Sequence, residues 1–341
     1  MPGSIQEDSL FYTSSVVAES MTYLFEQHEA VIEQAAREIT RRGLARVVGM
    51  GGGASLSSMM AMEYALTRYS GIGVRALNGW EVLSQVGSLK DTAVVATSYS
   101  GQTPEVVEAA RKARADGAFV IAITETSANP LAELADVVVP IQSKAVYTSP
   151  VTVAYLLSAH LLLARGESTE TARRLLDDLH AYPKTARTLL ARFSEDARAL
   201  SGPLADQYYV IAGGPQYGLG YKVGLSVIIE NLWTNGAVIH AGEFYHGPIE
   251  IVEKGRPTFV LLLGEDPSRT ATENVVRFLD RQGAPHLVFD SRTYGSFSDL
   301  MAPFPLFMVT ELWVMWMAAT AGHDVDERRY MGKLSKVWGE F

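Results

Sequence analysis

The sequence predicts an α/β fold of two doubly wound parallel-sheet domains covered by helices. Short apolar runs rich in β-branched residues alternate with segments of helical periodicity, which is typical of a parallel sheet with helices on both faces. The chain has 341 residues, enough for two domains that each bury a core. Because the alternation occurs twice, we expect the two domains to be related by duplication.

The predicted strands form two series. The first contains ARVVGMG, VRAL, TAVVATSYS, FVIAIT and VVVPI, and the second contains QYYVIAGG, TFVLLLG and HLVFD. Setting Val94 against Phe259 gives an offset of 165 residues, and setting Val48 against Val210 gives 162. Corresponding strands therefore recur at a nearly constant distance, which favours a repeat.

We predict five segments along the chain. Residues 1–44 form N-terminal helices, 45–166 the first domain, 167–199 a helical connector interrupted at Pro183, 200–323 the second domain and 324–341 a charged tail. The apolar stretch 305–322 is expected to be a buried helix, because Glu311 interrupts it and it is shorter than the roughly 20 apolar residues that a bilayer needs.

The amino-acid composition excludes several classes of partner and of catalytic group. Hydrophobic residues make up 48% and charged residues 20%, the balance of an ordinary globular protein. A formal charge of −9 gives no excess of cations for a nucleic acid or an anionic membrane, so neither is an expected partner. The chain has no Cys, which excludes disulfides and thiolate nucleophiles and fits a reducing compartment. The N-terminus, MPGSIQEDSLFY, does not have the pattern of a signal peptide, so we expect a cytoplasmic protein.

The clearest chemical signal is the loop 98–103, with the sequence SYSGQT, between a buried strand and a helix. Thr103 suits the N-cap of that helix, and Pro104 suits its first position. The hydroxyls of Ser98, Ser100 and Thr103 lie beside N–H groups at a positive helix end, which suits a phosphate monoester. A lone S-x-S-G would favour a turn without ligand, but three hydroxyls in six residues favour phosphate.

The first glycine-rich turn, GMGGGAS at residues 49–55, is a weak match to a dinucleotide fingerprint. The next predicted strand ends at Asn78 instead of an acidic residue, which disfavours NAD. Ser55 is the one candidate substrate contact in this turn. The alternative is a tight turn that holds no ligand.

Residues 230–250 concentrate acids and histidines: Glu230, His240, Glu243, His246 and Glu250. On one continuous helix the two histidines would be about 240° apart, and the glycines and the proline between positions 242 and 248 disfavour such a helix. We therefore predict no metal site. Solvated carboxylates and hydrogen-bonded histidines are the alternative interpretation.

Together these motifs resemble the double sugar-isomerase (SIS) domain proteins, which include the isomerase half of glucosamine-6-phosphate synthase and, more closely, the fructosamine-6-phosphate deglycases. The motifs are the loop 98–103, the spacing of 16 between Glu230 and His246, the string HAGEFYHGP and the tail DERRYMGK. The resemblance covers nearly the whole chain beyond its N-terminal helices.

The resemblance implies a set of site residues. The substrate and its phosphate contact the hydroxyl residues Ser55, Ser98, Tyr99, Ser100 and Thr103. Glu230 is the general base that moves a proton between C1 and C2 of the sugar. His246 assists ring opening and acid catalysis, and in the synthase this histidine comes from the neighbouring subunit. Lys333 closes over the sugar, and neither a metal nor an organic cofactor is needed.

The implied reaction is deglycation of a ketosamine 6-phosphate to glucose 6-phosphate and a free amine. An aldose–ketose isomerase or an aminosugar-phosphate deaminase could use the same residues, and a regulatory sugar-phosphate-binding module would need only the hydroxyl loop. The resemblance also implies a homodimer or higher oligomer with a shared active site. The apolar stretch ending near Gly322 exposes too many large side chains for a lone surface helix, which favours a partner.

The second domain has GEDPS at residues 264–268, where the first has its hydroxyl loop. Two carboxylates there would repel a phosphate dianion. We therefore expect one phosphate site per chain, in the first domain, with the second domain supplying Glu230 and His246.

Overall fold

A computed structural model describes residues 4–254 and 257–330 of the protein. The described residues form two compact units. The first unit is Val16–Lys184, and the second joins the residues up to Ser15 to those from Thr185 onward. The division falls inside a long helix, and the first residues of the chain belong with its second half.

The first unit is built on a five-stranded parallel sheet in the order β2-β1-β3-β4-β5. Its strands are β1 (Arg46–Gly51), β2 (Gly73–Asn78), β3 (Thr92–Thr97), β4 (Phe119–Thr124) and β5 (Val137–Pro140). Its helices are α1 (Val17–Arg41), α2 (Ala54–Tyr69), α3 (Gly79–Gln85), α4 (Pro104–Ala115) and α5 (Thr148–Arg165). All five predicted strands of the first series are confirmed.

The central strands explain why this sheet forms. Every residue of β3 and β4 is buried, as expected for strands with helices on both faces. On one face, Val48, Val94 and Val120 pack with α4 residues such as Val106 and Ala110. The carboxyl ends of β1 and β3 are neighbours in the sheet, so the glycine turn and the hydroxyl loop open on the same edge.

The second unit contains a four-stranded parallel sheet in the order β7-β6-β8-β9. Its strands are β6 (Gln207–Ala212), β7 (Asn235–His240), β8 (Thr258–Leu263) and β9 (His286–Asp290). Its helices are α7 (Tyr217–Tyr221), a π-helical segment (Lys222–Val227), α8 (Ile228–Leu232), α9 (Arg269–Gln282) and α10 (Pro303–Ala321). The predicted strands are confirmed, and β7 is an additional edge strand that we did not predict.

Helix α6 (Thr169–Ala199) is the long helix that contains the division between the units. We expected Pro183 to interrupt the connector, and this prediction is wrong, because the helix continues through Pro183. A proline removes one backbone hydrogen bond, but the remaining turns of a long helix can keep it intact around that position.

The two sheets share one strand order, with β6, β7, β8 and β9 standing where β1, β2, β3 and β4 stand. Val48 pairs with Val94, and Val210 pairs with Val260. With Val48 and Val210 taken as equivalent, the counterpart of Val94 is therefore Val260, one residue beyond the Phe259 of the sequence comparison. The two sheets thus repeat one strand order, with this correction of one residue to the sequence comparison.

The two faces of the second sheet carry different helices. Ile211, Phe259 and Leu261 form a core with α9 residues on one face. A Cβ on Gly220 of α7 would lie 2.9 Å from the Ala212 Cβ and 3.5 Å from a Val238 methyl group. Since side chains alternate along a strand, the helical segment from α7 to α8 covers the opposite face from α9.

Helix α10 confirms the prediction of a buried helix. By length and composition it could cross a membrane, but 78% of its apolar window is buried inside the structure. Its large side chains, such as Trp313 and Phe307, are covered by the chain itself. The apolar stretch therefore gives no argument for a partner subunit, and our inference from it was wrong on this point.

Candidate active site

The hydroxyl loop follows β3 at the carboxyl edge of the first sheet. Thr103 is the N-cap of α4 with Pro104 next to it, so the predicted start of the helix is confirmed. The Thr103 side chain does not cap the helix, however, because its Oγ1 lies 2.8 Å from the Oγ of the buried Ser98. Ser100 is exposed, and its Oγ accepts a hydrogen bond from the Gln102 N–H at 3.2 Å. The loop thus holds one exposed hydroxyl and one linked pair at a positive helix end.

Gly101 sets the shape of this loop. Its φ is +64°, a conformation that favours glycine, and a Cβ there would lie 1.9 Å from Asn129 Oδ1. Asn129 is buried and fixed, because its Nδ2 donates to the Thr126 carbonyl at 2.7 Å and its Oδ1 accepts from the Ala132 N–H at 2.9 Å. The amide side chain therefore supports the loop from beneath.

Tyr99 is held by a carboxylate. Its hydroxyl donates to Glu125 Oε1 at 2.9 Å, and the Glu125 N–H donates to the Tyr99 carbonyl at 2.8 Å. Burial, the hydrogen bond and the negative charge of Glu125 raise the pKa of Tyr99 to about 12. Because this phenol is engaged with Glu125, Tyr99 fixes the loop through its side chain.

Ser55 lies in the first turn of α2, after the glycine turn. Its N–H donates to the Gly52 carbonyl at 3.1 Å, while its half-buried hydroxyl has no hydrogen-bond partner among the described residues. A Cβ on Gly52 would lie 3.7 Å from Glu105 Oε1 on the first turn of α4. The glycine turn and the start of α4 are therefore neighbours, which leaves the Ser55 hydroxyl available beside the hydroxyl loop.

The corresponding loop of the second unit already contains an anion. The buried Asp266 accepts from the Ser268 N–H at 2.9 Å and from Gln216 Nε2 at 3.1 Å. Its carboxylate thus accepts from the N–H group before α9 that would otherwise be available to donate to a phosphate. The cation nearby, Arg269, forms ion pairs with Asp290 at 2.6 Å and Glu273 at 2.6 Å.

Glu230 is on α8, and two glycines set the position of its helix. A Cβ on Gly224 would lie 2.5 Å from the Ala237 carbonyl oxygen, and one on Gly236 would lie 2.3 Å from the Gly224 carbonyl oxygen. The backbones of the helix and of β7 therefore touch directly. The π-helical segment just before α8 adds a local widening of the kind often found at functional sites.

A buried charge cluster lies behind Glu230. The Lys222 ammonium is 5.3 Å from the centre of the Phe307 ring. Burial lowers its pKa, and the negative charges of Glu311 and Glu230 act in the opposite direction. Glu311 is buried too and accepts hydrogen bonds from Thr13 Oγ1 at 2.5 Å and from the Ser14 N–H at 2.6 Å. The N-terminal segment is thereby bonded to α10.

His246 is exposed at the end of a short 3-10 helix, Ala241–His246, that follows β7. Phe244 in this segment belongs to the core between the second sheet and α9, and its ring centre is 6.0 Å from that of Phe278. The neighbouring Tyr245 hydroxyl donates to the Asn274 carbonyl of α9 at 3.0 Å. His246 is therefore on the α9 face of the sheet.

Glu230 and His246 consequently lie on opposite faces of the second sheet within one chain. Glu230 is on the helical segment that covers the Ala212 and Val238 side, and His246 follows the segment packed on α9. The strand β7 separates them in sequence and in space. The structure does not bring this pair together within a single chain.

Glu230 instead lines a cavity of about 350 Å³. The other lining residues are Ile229, Trp233, Thr234, Asn235, Arg328, Arg329 and Tyr330. The Arg329 guanidinium lies over the Trp233 ring at 4.1 Å from its centre. Asn231 Nδ2 donates to the Val325 carbonyl at 2.8 Å, which fixes the C-terminal segment beside α8. Lys333 follows Tyr330 by three positions and lies outside the described residues.

Comparisons with known proteins agree with this architecture. A family model for the SIS domain matches residues 43–165. Fructoselysine 6-phosphate deglycase of Escherichia coli strain K12 is 31% identical over 313 residues, covering 89% of this chain and 90% of that protein. Fructosamine deglycase FrlB of Bacillus subtilis strain 168 is 31% identical and covers 71% of this chain and 76% of its own.

This chain belongs to the SIS-domain family. The structure of a protein assigned as a phosphosugar isomerase from Salmonella typhimurium LT2 superposes with a TM-score of 0.77 at 25% identity, covering 88% of this chain and 96% of the other. The family resemblance seen in the sequence motifs is thereby confirmed, as is the predicted pair of SIS-type parallel-sheet domains.

Several residues that shape this SIS-domain site could not be predicted from the sequence. Asn129 and Glu125 support the hydroxyl loop from the far end of β4, and no local pattern links them to it. Trp233 has a left-handed backbone with φ +51°, which is unusual for a bulky residue and is not visible in the sequence. Arg328 and Arg329 belong to the tail motif DERRYMGK, but nothing in that motif links them to Trp233 or Glu230.

Proposed function

We propose that this SIS-domain protein is an enzyme, a fructosamine 6-phosphate deglycase that releases glucose 6-phosphate and a free amine. The observation that carries the proposal is the 31% identity to a fructoselysine 6-phosphate deglycase over 89% of this chain and 90% of that protein. A match over nearly the full length of both chains includes both sheets, the hydroxyl loop and the segment that contains Glu230 and His246.

The proposed reaction moves one proton between two carbon atoms. His246 assists opening of the sugar ring, and the Glu230 carboxylate removes a proton from C1, which gives an enaminol with a C1–C2 double bond. Return of a proton to C2 gives an aldimine between C1 and the amine nitrogen. Water adds to C1 and the C–N bond breaks, which yields the aldehyde of glucose 6-phosphate and the amine.

The substrate is proposed to be anchored in the first unit by its phosphate. Hydroxyl donors lie at the amino ends of two helices. At α4 they are the exposed Ser100 and the Ser98–Thr103 pair, and at α2 the donor is the unpartnered hydroxyl of Ser55. The carboxylate of Asp266 in the equivalent loop of the second unit supports a single phosphate site per chain. Fixing the phosphate positions C1 and C2 for proton transfer.

The proposed active site requires two copies of the chain. Glu230 and His246 of one chain lie on opposite faces of the second sheet, so the histidine that serves Glu230 comes from a partner in a homodimer or larger oligomer. Mixing Glu230→Gln and His246→Ala proteins tests this. In a symmetric dimer a 1:1 mixture regains about a quarter of the wild-type rate, because half of the dimers are mixed and each has one intact site.

Each variant alone should be inactive in that experiment. If both variants are inactive and the mixture after subunit exchange is inactive as well, the two residues do not complete one site from two chains. If Glu230→Gln alone keeps full turnover, the assignment of the general base is wrong.

The reaction class is tested by a substrate panel. The wild-type protein is incubated with 6-phosphorylated ketosamines and, separately, with fructose 6-phosphate and glucosamine 6-phosphate. Deglycation predicts amine release from the ketosamines. Interconversion of plain hexose 6-phosphates would favour an aldose–ketose isomerase, and ammonia release from glucosamine 6-phosphate would favour a deaminase. Binding without turnover of any of these compounds would favour a regulatory module.

Lys333 is proposed to close over the bound sugar and keep water from the enaminol. Lys333→Ala should lower kcat strongly with little change in the thermal unfolding midpoint. Lys333→Arg keeps the charge but cannot form an imine, so its activity separates electrostatic closure from covalent participation. Full activity of Lys333→Ala would remove this residue from the site. The cytosolic location expected from the absence of Cys stays a prediction.

A further inference from the structure

The cavity beside Glu230 has a lining that no step of the deglycation uses. Arg328 and Arg329 line it, and among the described residues neither guanidinium has a carboxylate within ion-pair distance. Arg328 Nη1 donates to the Val325 and Glu327 carbonyls at 2.7 and 3.1 Å, and Arg329 is stacked on Trp233. With Glu230 ionised, two positive charges and one negative charge leave the lining with one net positive charge.

The other lining groups are either apolar or already hydrogen-bonded. Thr234 Oγ1 donates to the Ala205 carbonyl at 2.8 Å, and Asn235 Nδ2 donates to the Asp206 carbonyl at 2.9 Å. Ile229 and Tyr330 are large exposed apolar side chains, at 40% and 69% exposure. The cavity therefore presents an apolar wall and guanidinium donors, a combination that fits a carbon chain ending in a carboxylate.

The Trp233 ring makes Arg329 a fixed donor. The ring is packed against His323 on one side, with ring centres 4.5 Å apart, and the Arg329 guanidinium lies over it. A stacked guanidinium keeps its N–H edge free, and that edge matches a carboxylate in a bidentate pair. Lysine at this position would keep the charge but lose the planar fork.

The positions of the reacting carbon and of the phosphate indicate which part of the substrate lies in this cavity. This step rests on the proposed function. Glu230 must reach the proton on C1, the carbon that bears the amine, whereas the phosphate is on C6 at the far end of the sugar. The groups next to Glu230 therefore lie near the amine substituent. We propose that the cavity is the subsite for this substituent, and that Arg328 and Arg329 select amines that carry a carboxylate, as amino acids do.

The test compares substrates that differ only by the carboxylate. Fructose 6-phosphate adducts of glycine and methylamine form a short pair, and adducts of 6-aminohexanoate and pentylamine form a long pair. In each pair one compound has a hydrogen where the other has a carboxylate. We expect the wild-type protein to prefer the carboxylate member of at least one pair by tenfold or more in kcat/KM, measured as amine release.

Arg329→Ala should bring this ratio close to one, and Arg329→Lys should leave an intermediate ratio. The matched control is Arg277→Ala, which removes an exposed arginine from α9 on the other face of the sheet. The control should keep the wild-type ratio. Circular dichroism and the unfolding midpoint check that each variant folds.

Three results would overturn the inference while leaving deglycation intact. One is amine release from both members of each pair at equal efficiency. The second is a carboxylate preference that survives in Arg329→Ala and Arg328→Ala. The third is a fall in kcat/KM in Arg329→Ala that is equal for both members of a pair, because the guanidinium would then act on the part of the substrate that both members share. Absence of amine release from all four adducts would instead count against the proposed function.

Discussion

Replacing Gly101 by alanine tests how the hydroxyl loop is held in shape. Gly101 has φ +64°, and a Cβ at this residue would lie 1.9 Å from Asn129 Oδ1. The substitution therefore has two separate costs. The backbone must keep a left-handed conformation with a Cβ present, and the Asn129 side chain must leave the position in which it makes two hydrogen bonds.

The magnitude follows from these two parts. A left-handed conformation costs a residue with a Cβ about 1–2 kcal/mol. Each hydrogen bond that Asn129 loses costs about 1 kcal/mol or somewhat more, because the buried groups stay unpaired. The free energy of unfolding of the first unit should thus fall by about 3–5 kcal/mol in Gly101→Ala.

Gly117→Ala is the control, because Gly117 also has a left-handed backbone, with φ +79°, and a Cβ there meets nothing within 4 Å. The two variants share the backbone cost, and only Gly101→Ala displaces Asn129. The extra loss of about 2–3 kcal/mol should lower the calorimetric unfolding midpoint by roughly 4–12 °C more than in the control. Equal midpoints in the two variants would refute the reasoning that Asn129 supports the loop.

Three further predictions concern other parts of the site. Ser100→Ala should raise KM for phosphorylated substrate roughly ten- to hundredfold, because one charge-assisted hydrogen bond is lost. In steady-state kinetics, the exposed control Ser84→Ala should leave this KM unchanged. Gly224→Ala should lower the free energy of unfolding by about 1–3 kcal/mol by forcing α8 away from β7, whereas Gly202→Ala, whose Cβ meets nothing within 4 Å, should have little effect in urea unfolding. Because the pKa of Tyr99 is raised to about 12, its hydrogen bond to Glu125 stabilises the fold below pH 10, and this stabilisation is lost as pH rises toward 12. Tyr99→Phe should remove this part of the loss of stability in unfolding measured from pH 9 to 12, and an unchanged pH profile would contradict the prediction.

The strands that the sequence predicted are those whose burial is continuous. Every residue of β3 and β4 is buried, so their runs of apolar residues are visible without any tertiary information. Strand β7 has no fully buried residue and begins with Asn235 and Gly236, both poor strand formers. It is a strand because β6 pairs with it and because two glycines let the helix before it approach closely. Both causes lie outside the local pattern.

For the candidate site too, only the features contained in a short stretch of sequence could be predicted. The hydroxyl loop could be predicted because a strand end, an N-cap and a proline at the first helical position are all contained in a few consecutive residues. Its supports could not, since Asn129 and Glu125 are about one β-strand and one helix further along the chain and meet the loop only in the folded sheet. The same holds for Trp233 and Arg329, whose stacking joins α8 to the C-terminal segment.

The missed strand also changes how the Glu230–His246 spacing is understood. Sixteen residues on one irregular segment would let the acid and the base meet within a chain. Once β7 lies between them, the chain passes from the α8 face of the sheet to the α9 face, and the two side chains belong to different surfaces. The proposed dimer would resolve this, because with C2 symmetry a contact that brings His246 of one chain to Glu230 of another would occur twice and build two equivalent sites. On this proposal each site takes its carboxylate base and its histidine from different chains, and a chain without a partner contains both residues but no complete site.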